Sequence, residues 1–391
     1  MNSEPLPDPT DEFDPSTWPR FHVDWQSNNV RAILAGQTVV LTEHATEADL
    51  LWLRKNYRAW FSQLRPHQAL NHIPEESVMT CKSDLAGALH AHPQAGPMAL
   101  AHPDFYPLTY RLDDPTERQA FAAQLPAHDS IDNLWILKPS TLSRGIGIRI
   151  EWQLDWLRQL LRDGQPVEFW HEGKPEPLII QRYIPNLLLL NGHKSELRLY
   201  WLIASLDPLR VLMYREGTVR LTSRAFKLDN FDDPLIHITN VYQQIKHGGV
   251  QPDTELKWDF PRLQAYLCRE KGVAADHLDT ILMPRLAKIL EYVVRACESR
   301  LRRTPPVGHF FGLYGADVIL DDQLTPWLTE IQKGPGLSYS DAIKQRVLPP
   351  MLLSALSVVL DIQHRRRAGH GLDDLELPDD YCWVIGPCAF Y

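Results

Sequence analysis

The chain has 391 residues, of which 44% are hydrophobic and 23% are charged, and its formal net charge at pH 7 is −9. This length allows two or three domains with buried cores. The acidic balance argues against a general nucleic-acid or membrane binder, although it is compatible with a local basic pocket. Five dispersed cysteines without a CxxC pair predict free thiols in a reducing compartment.

The N-terminal sequence is acidic and proline-rich, and it lacks the basic and apolar regions of a signal peptide. We therefore predict a disordered tail over residues 1–19 and a cytoplasmic protein. The longest apolar tract, residues 348–362, is interrupted by Pro349 and Pro350 and is too short to span a bilayer. No membrane contact is expected.

Residues 20–45 alternate loosely in polarity, which predicts a small sheet unit. Residues 47–64 predict a helix with Thr46 as its N-cap. Residues 93–107 are rich in Pro, His, Ala and Gly and predict a loop.

The middle of the chain predicts buried strands at residues 134–137 and 176–184, with a hairpin partner for the first at residues 145–150. A helix follows this hairpin, because Trp152, Trp156, Leu160 and Leu161 have helical spacing.

Residues 196–222 predict consecutive antiparallel strands that turn at Asp207-Pro208 and again at Glu216-Gly217. A long helix is predicted over residues 283–303. A last strand pair is joined by a turn at Asp321-Asp322. Strands and helices alternate throughout, so the fold class is α/β or α+β.

The stretch "LWILKPSTLSRGIGIRI" ends an apolar strand on Lys138 and continues into a loop with two glycines. A lysine ammonium there can contact phosphate oxygens as a compact charge, and the glycines let backbone N–H groups approach the same phosphates. An ordinary hairpin with a surface lysine is the alternative.

Two further stretches carry unusual residues. "PLIIQRYI" runs an apolar strand into Gln181-Arg182-Tyr183-Ile184, which suits a hinge that contacts adenine through its backbone, although a plain core strand is the simpler interpretation. In "NGHKSELRLYWLI", Lys194, Glu196 and Arg198 are two residues apart, so in a strand they face the same way. A solvated strand face is the alternative there.

In "GADVILDDQLTPWLTEIQ", a hairpin at Asp321-Asp322 can bring Asp317 together with Glu330 and Gln332. Two carboxylates and an amide oxygen match the oxygen ligands that Mg²⁺ prefers. Two acids solvated at a sheet edge are the alternative, but the apolar setting makes it unfavourable, because buried charges need partners.

These stretches together resemble the tubulin tyrosine ligase-like family of the ATP-grasp superfamily. The resemblance runs from residue 47 to residue 338. It rests on ordered blocks: "LNHIPEESVMTCKSDLAGAL", "FYPLTYRL", "WILKPSTLSRGIGI", "QRYI", "GHKSELRLY", "HITN" and "YGADVILDDQLTPWLTEIQKGPGLS".

The resemblance implies an ATP-grasp fold with the nucleotide cleft between two α/β lobes and a small N-terminal domain. It also implies a set of site residues, in three groups. The nucleotide would be bound by Lys82, Lys138, the loop Ser143, Arg144, Gly145, Ile146 and Gly147, the hinge Gln181, Arg182, Tyr183 and Ile184, and Lys194, Thr239 and Asn240. Catalysis would use Lys194, Arg198 and Arg220, of which the two arginines would hold the acyl-phosphate or an acidic substrate. Magnesium would be bound by Asp317, Glu330 and Gln332.

This chain departs from the family pattern mostly at the metal and acceptor side. Gln332 stands where the family usually has asparagine, Glu196 where it commonly has aspartate, and Gly312 where it has glutamate. "KGPGLS" replaces the usual loop after the metal-binding strand.

We therefore expect an ATP- and Mg²⁺-dependent ligase that adds glutamate, tyrosine or glycine to a protein or peptide through an acyl-phosphate. A monomer is expected. A small-peptide or metabolite ligase and a non-catalytic nucleotide-binding protein remain alternatives. The predicted domains are residues 20–75, 76–183 and 184–370, with a C-terminal segment at 371–391.

Overall fold

The computed structural model describes residues 19–25, 27–37, 39–55, 57–92, 103–125, 128–164, 167–248, 256–303, 308–338 and 341–387. Residues 1–18 of the predicted tail, residues 93–102 of the predicted loop and Cys388 lie outside this part. The other four cysteines are free thiols, as predicted.

The described residues form seventeen strands. The first nine are β1 (Arg20–Val23), β2 (Val40–Leu41), β3 (Leu50–Trp52), β4 (Ala69–Leu70), β5 (Thr109–Arg111), β6 (Trp135–Pro139), β7 (Arg149–Glu151), β8 (Glu168–His171) and β9 (Lys174–Arg182). The others are β10 (Leu189–Leu190), β11 (His193–Leu206), β12 (Leu209–Leu221), β13 (Lys257–Asp259), β14 (His309–Phe310), β15 (Gly312–Leu320), β16 (Pro326–Lys333) and β17 (Tyr381–Ile385).

The same residues form ten α-helices: α1 (Asn28–Leu34), α2 (Ser77–Thr80), α3 (Lys82–Ala91), α4 (Pro115–Gln124), α5 (Asp155–Arg162), α6 (Pro234–His237), α7 (Val241–Gly248), α8 (Phe260–Lys271), α9 (Met283–Leu301) and α10 (Ala342–Arg367). Two short 3₁₀ turns, Ala45–Glu47 and Tyr57–Phe61, and a π-helical turn, Leu278–Leu282, complete the helical structure.

Three sheets organise these strands. The first is parallel, with strand order β14-β4-β3-β1-β2. The second is antiparallel, with order β13-β12-β11-β15-β16, and β10 and β17 pair with β11 and β12. The third has order β5-β9-β6-β7, with β8 on β9. The predicted mixed α/β class is confirmed.

The second sheet is central because helices cover both of its faces. Along β11, the side chains of Leu197, Leu199, Trp201 and Ile203 point into the core that α9 covers. Tyr200, Leu202 and Ala204 alternate with them and pack into the core under α10. The third sheet has a smaller core of its own, to which α4 and α5 contribute.

The predicted helix over residues 47–64 is wrong. Residues 50–52 instead form β3, which pairs in parallel with both β1 and β4, and Thr46 lies inside a 3₁₀ turn. Leu50, Leu51, Trp52 and Leu53 are consecutive and all buried. A strand in the middle of a parallel sheet buries both faces, so it reads as a continuous apolar run and loses the alternation that marks a strand.

The predicted turn at Glu216-Gly217 is also wrong, because β12 continues through it. The pairing with β11 shifts there: Leu199 pairs with Gly217, but Trp201 pairs with Met213. A Cβ on Gly217 would lie 2.5 Å from the carbonyl oxygen of Arg198. Glycine is therefore needed at this bulge for close backbone approach rather than for a turn.

Helix α10 runs without interruption through Pro349 and Pro350, contrary to the sequence prediction. Among the described residues it is the one helix with the length and apolar composition to cross a membrane, and 56% of its most apolar window is buried inside the protein. Its apolar residues, such as Met351, Leu352 and Val359, pack against the central sheet and the first sheet.

Several other predicted elements are confirmed with shifted ends, but the predicted sheet unit at residues 20–45 contains helix α1 between β1 and β2. Strands β6 and β7 form the predicted hairpin, and β11 and β12 pair across Asp207-Pro208. The hairpin of β15 and β16 turns at Asp321-Asp322, and α9 matches the predicted long helix.

A buried carboxylate connects the start of α2 to the central sheet. Glu76 accepts a hydrogen bond from the Tyr314 hydroxyl at 2.8 Å and contacts Lys333 Nζ at 3.0 Å and His72 Nδ1 at 2.9 Å. Burial alone would raise its pKa, but His72 and Lys333 outweigh burial, so the pKa of Glu76 is lowered.

We predict that Glu76→Ala lowers the free energy of unfolding by about 3–5 kcal/mol, because it leaves Lys333 and Tyr314 without their buried partner. Urea unfolding at pH 7 measures this. Glu43→Ala is the matched control, since its carboxylate is exposed. Equal midpoints for the two variants would contradict the prediction.

Candidate functional site

The site begins with the face of β11 that lies opposite its apolar face. Lys194, Glu196 and Arg198 share this face with Tyr200, as the two-residue spacing predicted. All three charged side chains are buried or partly buried. A solvated strand face is therefore excluded, and each charge needs a partner from a neighbouring strand.

Cross-strand register supplies those partners in two rows. In one row, Arg198 of β11 pairs with Asp317 of β15, which pairs with Glu330 of β16. In the other row, Glu196 of β11 pairs with Arg220 of β12. Directly paired residues point to the same side of a sheet. The register thus places cations and carboxylates side by side across four strands.

Asp317 forms buried ion pairs with two arginines of the site. Arg198 contacts both oxygens of Asp317, with Nε at 2.5 Å and Nη2 at 3.0 Å, and Arg220 Nη2 lies 2.7 Å from Oδ2. Burial opposes ionisation, but the two guanidinium groups outweigh it and lower the pKa of Asp317 to about 2. Burial also opposes the charge of Arg220, yet Asp317 and Glu196 raise its pKa above the usual value.

Gly315 leaves room for this arrangement. A Cβ at that position would lie 3.1 Å from Cδ and 3.3 Å from Nε of Arg198, which is tighter than ordinary van der Waals contact. The Arg198 side chain therefore lies across the backbone of β15.

A β-bulge in β16 orients the predicted metal ligands. Asp317 pairs with Glu330 and Val318 pairs with Leu328, so Thr329 is the extra residue. Leu328 therefore shares the core with Ile331, while Glu330 and Gln332 point to the charged face. In a regular strand, Glu330 would point to the same side as Leu328.

Gln332 lies among these carboxylates, and both the oxygen and the nitrogen of its side-chain amide contact charged groups. The oxygen accepts a hydrogen bond from Arg198 Nη2 at 2.7 Å. The nitrogen lies 3.2 Å from Asp317 Oδ2 and 3.2 Å from Glu330 Oε1. To act as an oxygen ligand beside Asp317 and Glu330, the amide would have to rotate.

The N-terminal part of the chain contributes Lys82, which begins α3. Its ammonium lies 3.6 Å from Glu330 Oε1 and donates to the carbonyl oxygen of Leu142 at 2.8 Å. Lys82 thus connects β16 to the glycine loop. The structure brings it into the predicted cleft.

Lys138, at the end of β6, is buried beside the predicted hinge. Its ammonium donates to Gln181 Oε1 at 2.7 Å, and Gln181 Nε2 donates to the Thr109 hydroxyl at 2.8 Å. Burial lowers the pKa of Lys138 to about 8, against the opposing effect of Glu330. Lys138 is therefore not a surface lysine.

Lys194 lies next to Lys138, and burial together with the charge of Lys138 lowers its pKa to about 8, although Glu196 acts in the opposite direction. Its ammonium lies 3.2 Å from the Tyr183 hydroxyl and 4.7 Å from the centre of that ring. The Tyr183 hydroxyl also lies 3.1 Å from His237 Nδ1. Burial lowers the pKa of His237 to about 4, so this imidazole is neutral at pH 7.

The four hinge residues do not all face one way. Gln181 and Tyr183 are buried against the two lysines, whereas Arg182 points away: its Nη2 donates to the carbonyl oxygen of Asp132 at 2.7 Å, and its guanidinium lies over the Trp135 ring. Ile184 follows β9 and is partly buried. Successive side chains of a strand point to opposite faces of the sheet, so the Arg182 side chain does not contact the cleft in this structure.

The glycine loop lies on α7. Gln243 Nε2 donates to the carbonyl oxygen of Arg144 at 2.8 Å, and the Arg144 guanidinium lies 5.6 Å from the Tyr242 ring centre. Gly145 has a φ of 70°, and a Cβ there would lie 3.0 Å from Gln243 Cγ. Gly147 has a φ of 71°, and a Cβ there would lie 2.8 Å from both Phe169 and Pro139. In this structure the glycines serve the turn and its packing.

Thr239 and Asn240 lie at the start of α7. The Thr239 hydroxyl donates to Glu196 Oε2 at 2.5 Å, and Asn240 Oδ1 accepts from the Tyr242 N–H at 3.0 Å. Both residues therefore lie at the charged face.

A cavity of about 670 Å³ opens between these groups. Eight cationic side chains and one carboxylate line it: Arg54, Lys82, Arg144, Arg198, Arg220, Lys257, Lys333, Lys344 and Glu330. The acidic chain thus concentrates positive charge in one cleft. Such a cleft attracts polyanions, whereas the acidic surface elsewhere repels them.

The donor chemistry of Asp317, Glu330 and Gln332 fits Mg²⁺, which prefers oxygen ligands. Within the described residues, no group of three or more His, Cys, Asp or Glu side chains has the arrangement of a metal site. The predicted set has two carboxylates, and its third member is the Gln332 amide. The same oxygens contact Arg198, Arg220 and Lys82 in this structure. A cation bound there would replace some of those contacts.

Comparison with known proteins identifies the family of the chain. The profile of the tubulin-tyrosine ligase family matches residues 61–367. The chain is 27% identical over 347 residues to the probable tubulin polyglutamylase TTLL9 of Bos taurus, covering 80% of this chain and 72% of that protein.

Two other relatives are similar over shorter fractions of their length. The probable tubulin polyglutamylase TTLL2 of Mus musculus is 31% identical over 303 residues, which are 74% of this chain and 51% of that protein. The protein polyglycylase TTLL10 of Mus musculus is 28% identical over 343 residues, which are 81% of this chain and 47% of that protein. The chain spans about half the length of these two.

The family profile and the names of these relatives therefore define the class of protein as ligases that form amide bonds with amino acids. The family match covers most of the chain, so the chain belongs to the tubulin-tyrosine ligase family. The resemblance inferred from the motifs is confirmed, and with it the expectation of an amino-acid ligase family.

Sequence reasoning missed several cations of the cleft, above all Lys257, Lys333 and Lys344. Lys257 lies in the short strand of "ELKWDF" and Lys344 in the first turn of α10, and each reads as an ordinary surface lysine. One signal was available for Lys333, which follows Gln332 directly in the predicted metal-binding strand.

We predict that Asp317→Asn destabilises the protein at pH 7 by about 3–5 kcal/mol, since two buried guanidinium groups lose their counter-charge. The ordinary pKa of 3.8 falls to about 2 on folding. This stabilisation is complete above about pH 5 and is lost progressively as the pH falls towards 2. The difference between wild type and variant should therefore shrink over that range.

Urea unfolding at pH 7, 4 and 3 measures this difference, and Asp229→Asn is the exposed control. A difference between wild type and Asp317→Asn that stays constant with pH would show that the carboxylate is not ionised by its arginines.

Proposed function

We propose that this chain is an ATP- and Mg²⁺-dependent carboxylate–amine ligase with an ATP-grasp fold, which adds an amino acid to a protein or peptide. One observation carries the proposal. Lys138, Lys194 and Glu330 come from three separate strands, yet Lys138 lies close enough to each of the other two to interact with it electrostatically. A single triphosphate can therefore contact all three elements.

The nucleotide would lie at the end of the cleft that Lys82 and the glycine loop line, near Lys138 and Lys194, which are buried outside the cavity lining. The two strand lysines are desolvated in the free protein, which makes their charged forms unfavourable. Phosphate oxygens would supply a counter-charge, so binding would raise the pKa of both lysines and favour their protonated forms. The adenine would lie against the backbone of Gln181, Tyr183 and Ile184.

The other end of the cleft holds the reacting groups. An oxygen of the acceptor carboxylate attacks the γ-phosphorus, and ADP leaves with the bond electrons. The amine nitrogen then attacks the acyl carbon, phosphate leaves, and the nitrogen loses a proton to form the amide. Arg198 and Arg220 would hold the negative charge that gathers on the phosphoryl and acyl oxygens.

Positioning is the main contribution of the protein to both steps. Asp317, Glu330 and Gln332 would hold Mg²⁺, which when bound neutralises phosphate charge. Tyr183 and Thr239 keep Lys194 and Glu196 in place through direct hydrogen-bond contacts.

The relatives are named for tubulin glutamylation and for protein glycylation. We propose a protein or peptide acceptor for this chain on that basis, with glutamate, glycine or tyrosine as donor. A ligase of small peptides and a non-catalytic nucleotide-binding protein are the competing outcomes. The cytoplasmic location, the monomeric state and the domain boundaries stay predictions.

We predict that nucleotide affinity depends on pH through the buried lysines. Lys138 and Lys194 have pKa values of about 8, so both are protonated below pH 7 and lose the proton above pH 8. Affinity for Mg·ATP should be constant up to about pH 7 and fall as the pH rises to 9.5. Calorimetric titrations across this range measure it.

Lys138→Ala should weaken Mg·ATP binding by roughly 10- to 100-fold, the value of a charge-assisted hydrogen bond, and should flatten the pH dependence. Lys288→Ala is the control, because Lys288 is exposed on α9. Unchanged affinity in Lys138→Ala would contradict the assigned role.

We predict that Glu330→Gln binds nucleotide but loses turnover on the order of 10²-fold, as expected when one preorganised charged group is removed. ADP release is measured with Mg·ATP, a mixed amino-acid pool and candidate acceptors, and intact mass identifies the product. If wild type and variant both bind nucleotide without ADP release, the non-catalytic alternative stands. Products formed from free amino acids alone would favour the small-peptide ligase.

A further inference from the structure

His237 is buried beside the predicted hinge, and none of the roles above uses it. It is the last residue of α6, and only 1% of its surface is exposed. The ring centres of Tyr183, Phe226 and Phe231 lie 6.0, 5.7 and 5.4 Å from its own. His237 does not line the cationic cavity, so any contribution to ligand binding has to pass through a neighbouring side chain.

The hydrogen bonds of this imidazole determine which nitrogen carries the proton. Nε2 lies 3.0 Å from the carbonyl oxygen of Asn230, and a carbonyl oxygen only accepts, so Nε2 is protonated. Burial and the charge of Lys194 lower the pKa of the ring to about 4. The Asn230 carbonyl and the carboxylates of Asp233 and Asp229 act in the opposite direction. The ring is therefore neutral at pH 7, and Nδ1 keeps its lone pair.

The Tyr183 hydroxyl connects this lone pair to Lys194. Its oxygen lies 3.1 Å from His237 Nδ1 and 3.2 Å from Lys194 Nζ. An ammonium only donates, and an unprotonated ring nitrogen only accepts. The hydroxyl therefore donates its proton to His237 and accepts an N–H of Lys194 on its oxygen. The chain of hydrogen bonds runs in one direction, from Lys194 through Tyr183 to His237.

This direction affects Lys194 because its ammonium is buried. The other charged groups that act on it are Glu196, which favours the ammonium, and Lys138, which disfavours it. A hydrogen bond that the charged form donates favours that form. Without an acceptor on residue 237, the hydroxyl proton of Tyr183 would be free to turn towards the ammonium, and the oxygen would no longer be fixed as its acceptor.

We propose that His237 is a positioning residue for nucleotide binding: it orients the Tyr183 hydroxyl, and that hydroxyl keeps the Lys194 ammonium charged and in place. The inference rests on the proposed ligase function, in which Lys194 contacts the nucleotide, and it adds a residue that touches no substrate. A histidine that only fills space between aromatic rings is the competing interpretation.

Calorimetry with Mg·ATP on the full chain, without amino acid or acceptor, tests the inference in His237→Leu, which fills the site but has no acceptor. Affinity should fall roughly 3- to 10-fold at pH 7, the value of one hydrogen bond. The loss of affinity at high pH should also begin about 0.5 pH unit or more below that of the wild type, because the Lys194 ammonium loses a partner.

Tyr183→Phe should produce the same two changes. The double variant should bind no more weakly than Tyr183→Phe alone, because both substitutions break the same chain. His237→Asn should recover most of the affinity, since its Oδ1 takes the place of Nδ1 and accepts from the Tyr183 hydroxyl.

Phe231→Leu is the packing control. It removes the ring stacked on His237 and leaves the hydrogen bonds, so its pH profile should match that of the wild type. If His237→Leu weakens binding by the same factor at every pH, or adds its effect to that of Tyr183→Phe, the histidine only packs and the inference is overturned.

The proton positions are checked without nucleotide by ¹⁵N NMR of the histidine side chains at pH 7. The signals that disappear in His237→Asn should be those of a protonated Nε2 and an unprotonated Nδ1, and Tyr183→Phe should shift the Nδ1 signal. A protonated Nδ1 would overturn the inference. Wild-type binding of Mg·ATP that His237→Leu leaves unchanged would overturn the inference alone, whereas a wild type that does not bind Mg·ATP would overturn the proposed function as well.

Discussion

The structure depends on the neutralisation of three buried or partly buried charged side chains, Lys194, Glu196 and Arg198, on one face of β11. One face of β11 is apolar from Leu197 to Ile203, whereas its other face is charged near its start and apolar where α10 covers it. The charged half is stable because neighbouring strands supply opposite charges in register. Asp317, held by Arg198 and Arg220, is the centre of this network, since it joins β11, β12 and β15.

The charge network also explains how an acidic protein forms a strongly cationic cleft. The carboxylates of Asp317 and Glu196 hold the guanidinium groups of Arg198 and Arg220 in place. The other cationic side chains of the cleft line the cavity. Such preorganised charge needs little rearrangement when an anion binds. The fold carries a cost, because Lys138 and Lys194 are buried and have lowered pKa values. Under the proposed function, an anionic ligand would offset that cost.

Much of this site could be predicted from the sequence because its residues obey short-range rules. Lys194, Glu196 and Arg198 obey the two-residue period, and Asp317 meets Glu330 through a short hairpin. The consecutive apolar run at Leu50–Leu53 lacks the alternation of apolar and polar residues that marks a strand. The sequence therefore predicts a helix where the structure has the parallel strand β3. Lys257 and Lys344 were missed because only the pairing of β13 and the docking of α10, both long-range contacts, bring them to the cleft. The bulge at Thr329 is likewise visible only once β15 and β16 are paired.

The first sheet contains one strand from far along the chain. Its edge strand β14 pairs His309 and Phe310 with Ala69 and Leu70, and the chain then enters β15 directly. During synthesis, the residues of β1 to β4 leave the ribosome long before β14 exists. Until then one edge of β4 stays unpaired and open to wrong partners. Fragments that end before residue 309 would therefore be prone to association. The first sheet can be completed only shortly before β15, the strand that carries Asp317, leaves the ribosome.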